Sequence, residues 1–244
     1  VAREVERRAV AREVERRAVA REVEVREVET PRGPARVQLD AGAHGLLVLG
    51  HGAGGGPEAP DLLAARDGAL AAGFSVARVE QPYRVAGRRV AAPTAQLDEA
   101  FLAIVAQLTE PPPHLEIAPA ISAELHLPFQ GPLVLGGRSS GARVACRTAT
   151  ALGASAVLAL AFPLVPPGRT TSRADELAMP TVPRLVVQGS RDAFGLPAAG
   201  DGVDVHVVAG ADHAFAVRKQ DGRARRDVLA EVQDVVRKWL QTVT

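Results

Sequence analysis

Four short runs constrain this chain more than anything else in it: LLVLG at 46–50, PLVLGG at 132–137, AVLALAF at 156–162 and RLVVQG at 184–189. Their apolar residues follow one another instead of alternating with polar ones. A strand with one wet face alternates, whereas a strand covered by helices on both faces reads as an unbroken apolar run. Helical patterns fall between the runs, at 61–72, 95–108, 140–152 and 223–240, and further strand candidates stand at 35–39, 75–80 and 203–208. Strand–helix alternation of this kind predicts a doubly wound α/β domain, with a mainly parallel sheet and helices on both faces. A length of 244 residues suits one such domain. On such a sheet, functional groups are expected in the loops just past the strand C-termini.

Composition narrows the function classes. The formal net charge is +1, which leaves no overall field to recruit nucleic acid or an acidic membrane surface. A single cysteine, Cys146, excludes a disulfide framework and a cysteine-based zinc site. The six histidines, at 44, 51, 114, 126, 206 and 213, form no ligand-spaced pair. The longest apolar stretch, 151–165, is interrupted by Gly153, Ser155 and Pro163 and is too short to span a bilayer. No secretory h-region follows the first residues. The expectation is a cytoplasmic protein that handles a small molecule, with no nucleic acid, membrane, metal or organic cofactor as partner. No feature specifies an oligomeric state.

The first 29 residues stand apart. VAREVERRA occupies 1–9, recurs at 10–18, and begins again at 19 as VAREVEVRE. Sixteen of these 29 residues are charged, against 41 of the remaining 215. The composition favours helix, but a nine-residue period at 100° per residue turns the apolar stripe by half a revolution each repeat, so no persistent face results. A helical or disordered charged tail over 1–29 is expected, and the breaker cluster TPRGP at 30–34 marks the expected start of a domain over 30–244.

The loop after the second run carries the sharpest signal. Gly137-Arg138-Ser139-Ser140-Gly141 matches G-x-S-x-G and lies between a buried strand and a helix. A turn this tight holds its central residue in a strained conformation and crowds the positions two away, where glycine removes the clash. The hydroxyl of Ser139 then stands above the sheet at a helix start. There the Ser140 N–H and the helix dipole favour a developing negative charge. A plain glycine-rich turn is the alternative reading, and a P-loop is disfavoured because G-x-x-x-x-G-K-[ST] is absent.

A serine nucleophile needs a base, and the base needs an acid. Asp192 follows the run at 184–189, and His213 follows the last strand candidate, at 203–208. Ser139, Asp192, His213 is the chain order expected when all three sit at strand ends of such a sheet. Asp201 and Asp204 are weaker candidates for the acid, and Asp212 reads as a loop-ordering or solvent-facing residue. The glycine run His51–Gly56 lets backbone N–H groups approach a substrate oxygen, as an oxyanion hole requires. It also fits a nucleotide-binding loop loosely, with Glu80 ending the next strand. His51 reads as a loop-ordering residue in preference to the base. His51, Gly52, Tyr83 and Arg84 are candidates to contact substrate, with ordinary loop packing as the alternative for Tyr83 and Arg84. Residues 162–180 form either a short lid or a crossover.

The stretches LVLGHGAGG, VARVEQPYRVAGRR, LVLGGRSSGARVACRTA, LVVQGSRDAFG and VAGADHAF together resemble the α/β-hydrolase superfamily from about residue 35 onward. The resemblance is to its small, little-capped dienelactone-hydrolase-like group, and within that to the testis-expressed-protein-thirty-like branch. It implies Ser139 as nucleophile, Asp192 as acid, His213 as base, and oxyanion donors at Ser140 and Ala53. The implied activity is serine hydrolysis of an ester, thioester or similar acyl bond. Dienelactone hydrolases carry cysteine at the elbow where this chain has serine, so their substrate does not transfer. A non-catalytic hydrolase-fold scaffold is the competing reading, since fold and motif do not establish turnover.

Overall fold

The computed structural model describes residues 23–109 and 131–243. Its strands are β1 (Glu24–Val28), β2 (Ala35–Asp40), β3 (Leu46–Gly50), β4 (Ser75–Glu80), β5 (Leu133–Arg138), β6 (Ala156–Leu160), β7 (Arg184–Gly189) and β8 (Val203–Val208). Its helices are α1 (Pro60–Ala71), α2 (Pro82–Val85), α3 (Thr94–Thr109), α4 (Ser140–Thr148), α5 (Ala174–Ala178) and α6 (Arg225–Leu240). All eight strands form one sheet in the order β1-β2-β4-β3-β5-β6-β7-β8. β1 and β2 run antiparallel to their neighbours, and every other pair is parallel. This is the α/β-hydrolase fold with little cap.

Successive side chains of a strand point to opposite faces, and the continuous apolar runs therefore feed two separate cores. Leu46 and Val48 of β3 pack into a core with Phe101, Ile104 and Val105 of α3 and Val144 and Ala145 of α4. Leu47 and Leu49 face the other way, against Leu62 and Ala65 of α1 and Val228, Val232 and Val236 of α6. In α6 the fully buried residues recur every four positions, which is one face of a helix.

The N-terminal boundary differs from the expectation. Glu24–Val28, inside the segment expected to lie outside the domain, is an edge strand paired with β2 from Glu24↔Leu39 to Val28↔Ala35. Val28 is buried in the core at 6% exposure. The following residues are tied down too: Gln107 of α3 donates to the Glu29 carbonyl (2.8 Å), and Arg32 pairs with Glu99 (2.5 Å). The break expected at Thr30 thus falls within the packed structure. Tertiary pairing overrides the helical leaning of a Glu- and Arg-rich sequence, because a strand at a sheet edge needs only one partner. Residues 1–22, the bulk of the repeat, lie outside the described residues.

Residues 162–180 form a crossover with one short helix. It is fastened to α4 by Glu176, which accepts from Arg143 (2.6 Å to each oxygen) and from Arg147 (3.0 Å). No helix among the described residues is long and apolar enough to cross a membrane.

Candidate active site

β5 ends at Arg138, and the chain turns at Ser139 into α4 with φ 53° and ψ −107°, a conformation that costs energy for any residue but glycine. Two contacts hold it there. The Ser139 N–H donates to the Leu160 carbonyl at the end of β6 (2.9 Å), and its own carbonyl accepts from Arg143 N–H (3.2 Å). The flanking glycines are required by close approach. A side-chain carbon at Gly137 would lie 2.5 Å from the Gly50 carbonyl oxygen, and one at Gly141 only 2.1 Å from the same atom. The elbow therefore rests directly on the backbone at the end of β3.

The turn after β7 places Asp192, whose carboxylate is fully buried. Its Oδ1 accepts from the Phe194 N–H (2.9 Å), closing a local turn. Its Oδ2 accepts from Gln188 Nε2 (2.8 Å) and faces His213 Nδ1 (2.8 Å). On the other side of the imidazole, Nε2 stands 3.0 Å from Ser139 Oγ. A carboxylate can only accept, so the ring proton belongs on Nδ1; that leaves the Nε2 lone pair for the serine hydroxyl. The His213 side chain keeps 24% exposure. Phe194 packs on its face with ring centroids 4.4 Å apart. Three residues expected to act together, from the ends of β5, β7 and β8, thus form one hydrogen-bonded line.

The remaining candidates divide. Ser140 is the first residue of α4, and the first N–H groups of a helix have no intrahelical acceptor. Gly52 lies against the elbow: a carbon added to it would be 3.7 Å from Ser139 Cβ. Ala53 is exposed in the same loop, and its carbonyl accepts from Tyr83 OH (2.9 Å). Tyr83 is buried, which raises its phenol pKa above the ordinary value. It braces the glycine loop from α2. Arg84 is half-buried beside it and reaches the Arg88 carbonyl at 3.5 Å. His51 is buried, with Nδ1 2.8 Å from the Gly52 carbonyl and Nε2 accepting from the Gln81 N–H (3.2 Å). Burial holds its pKa below the ordinary value. Glu80, the acidic residue of the nucleotide reading, pairs with Arg36 on β2 (3.1 Å).

Of the other acids, Asp212 accepts at Oδ1 from the N–H groups of Ala214 (2.8 Å) and Ala216 (2.9 Å), shaping the loop that carries His213. Cys146 is buried in α4, where desolvation pushes its thiol up to about 12. Among the described residues no group of three or more His, Cys, Asp or Glu side chains could hold a metal ion.

Three residues at the site escaped the sequence reading. Gln188 is fully buried, and its Nε2 lies 3.1 Å from the Phe162 carbonyl and 2.9 Å from the Gly195 carbonyl, besides its contact with Asp192. A lone amide within the run RLVVQG was the available signal. Phe194 was hidden because a ring packed on an imidazole leaves no spacing pattern. Arg138 was passed over as the variable position of the elbow motif, although a charge at the end of LVLGG is itself unusual.

Residues 43–241 match a protein family described as alpha/beta hydrolase domain. Among solved structures, the chain is similar to a dienelactone hydrolase from Anabaena variabilis (17% identity, TM-score 0.66), covering 91% of this chain and 98% of that one. It is also similar to an alpha-beta serine hydrolase homologue from Coxiella burnetii (17%, 0.62; 89% and 97% covered). A third is an a/b serine hydrolase without lid from Xanthomonas campestris (19%, 0.59; 89% and 95% covered). At these identities the likeness bears on the fold. No curated protein matches the chain in sequence.

Proposed function

The chain belongs to the alpha/beta hydrolase domain family, and on that premise we propose that it is a serine hydrolase cleaving an ester, thioester or similar acyl bond of a small molecule. The observation that carries the reading is the continuous line Ser139 Oγ–His213 Nε2 (3.0 Å), His213 Nδ1–Asp192 Oδ2 (2.8 Å). Ser139 Oγ attacks the acyl carbon as its proton passes to His213 Nε2. The carbonyl π electrons move onto oxygen, which accepts hydrogen bonds from the Ser140 and Ala53 N–H groups. Asp192 stabilises the imidazolium and holds its tautomer. Collapse of the tetrahedral species expels the alcohol or thiol, which takes the proton from Nε2, and leaves an acyl-Ser139 ester. Water then attacks that ester and gives a proton to Nε2. The second collapse releases the carboxylic acid, and the proton returns to Ser139.

The dienelactone-hydrolase-like resemblance and the little-capped fold support a small, openly approached substrate. The test is a fluorophosphonate probe on the folded protein. A single adduct on Ser139, absent from Ser139→Ala, is expected; intact mass unchanged after incubation would point instead to a binding protein on a hydrolase fold.

A further inference from the structure

Arg138 immediately precedes the elbow serine, and its guanidinium touches two other catalytic loops. Its Nη2 donates to the main-chain carbonyl of His213 (2.9 Å). Its Nε lies 2.7 Å from Oδ2 of Asp61, a side chain 3% exposed in the first turn of α1. Its Nη1 fills the space beneath Gly52, where an added carbon would come within 2.9 Å of it. One side chain therefore spans the end of β5, the glycine loop and helix start after β3, and the loop after β8. The Asp61 carboxyl is raised in pKa by burial, and the Arg138 charge opposes that shift. A solvated surface pair would not sit this way.

We propose that Arg138 is a positioning residue: it fixes the His213 backbone relative to Ser139, with Asp61 as the buried anchor that aims the guanidinium. The inference rests on the serine-hydrolase reading above. Its physical logic is that acid, base and nucleophile come from three loops with no covalent link nearby, and each loop alone is free to drift. A planar cation rooted beside the nucleophile, hydrogen-bonded to the loop of the base and held by Asp61 at the helix start after β3, removes that freedom between nucleophile and base. Displacement of a catalytic group by about 1 Å from a remote change costs about 10²-fold in rate. Lysine offers a point charge and cannot serve the Asp61 carboxylate and the His213 carbonyl with the same fixed fork.

The experiment separates positioning from simple stability. Arg138→Met leaves Asp61 buried without its cation, so the variant is expected to melt lower and to lose turnover. Adding Asp61→Asn removes the stranded charge. The double variant should recover most of the melting temperature while kcat for p-nitrophenyl acetate stays about 10²-fold below wild type with KM little changed. Recovery of both would overturn the proposal, because the pair would then be a fold element only. Arg138→Lys, which keeps a cation for Asp61, guards against a double variant that does not fold: it should fold and still show reduced kcat, and wild-type kcat there overturns the proposal equally. Fluorophosphonate labelling keeps the two readings apart. An unreactive wild type sinks the hydrolase reading itself, whereas wild type and all three variants labelling at one rate sinks only the role of Arg138.

Discussion

His51 and His213 both stand in loops past the C-terminal ends of parallel strands, β3 and β8, and differ in what their nitrogens meet. His51 is sealed among backbone groups: a main-chain N–H donates to Nε2, which fixes the proton on Nδ1, and that proton faces the Gly52 carbonyl. Neither nitrogen is left for a reacting molecule. His213 has the same tautomer for a different reason, a carboxylate at Nδ1, and its Nε2 looks onto a hydroxyl in a half-open place. Location at a strand end is thus no guide to which histidine works as a base. The partner of each ring nitrogen decides it. Backbone partners on both sides give a fixed strut, and a carboxylate on one side with a hydroxyl on the other is the arrangement a proton shuttle requires.

That contrast can be broken by exchange of side chains. The largest effect is expected at the base and its acid. His213→Ala should lower turnover of p-nitrophenyl acetate by about 10⁴-fold, and Asp192→Asn should do comparable damage by favouring the wrong tautomer. His51→Gln, assayed alongside, should cost far less. If the losses came out in the opposite order, the assignment of base and strut would be reversed.

A smaller effect sharpens the strut side. Burial lowers the His51 pKa below its ordinary 6.5 in the folded protein. As pH falls below that value the unfolded chain takes up a proton here that the folded chain refuses. Stability must then decline from 6.5 down toward the lower folded value, and it is fully present above 6.5. Thermal melts across about pH 5–8 should show His51→Gln losing less stability than wild type over the acid half of the range. Parallel curves would mean that the ring titrates as it does in the unfolded chain.

The smallest effect is expected at Tyr83→Phe. It removes one hydrogen bond to the Ala53 carbonyl and keeps the ring packed edge-on against His51, with centroids 5.8 Å apart. A loss of about 1 kcal/mol in denaturant unfolding is expected. Turnover should change far less than in the His213 variants. A loss of rate approaching theirs would place the glycine loop, not the histidine line, in control of the chemistry.

Much of this arrangement is legible in the sequence, and the illegible part has a common cause. β3 through β7 could be read because burial on both faces leaves a one-dimensional trace. β4 and β8 agree with their expected spans to the residue. The elbow could be read because close approach to Gly50 forbids any side chain at two fixed offsets from Ser139. β1 was missed because its stability lies in pairing with β2, a partner its composition does not announce. A faint sign existed: where the first two repeats have Arg7 and Arg16, the third has Val25, so that Val23-Glu24-Val25-Arg26 alternates as a strand does. Gln188 and Arg138 were missed for a related reason. Their partners are main-chain carbonyls and a carboxylate brought in from elsewhere in the fold, and no local spacing encodes such contacts.

The seating of the elbow on the end of β3 bears on how such an enzyme can change over time. The height of Ser139 above the sheet is set by main chain against main chain, with Gly137 and Gly141 admitting no substituent. Substitutions away from the elbow, in the exposed parts of the segment after β4 or of the crossover after β6, leave that main-chain contact in place. Mutation is left free to explore substrates and is penalised sharply at two glycines, so a lineage built on this scaffold can diverge in what it acts on long before it loses the capacity to act.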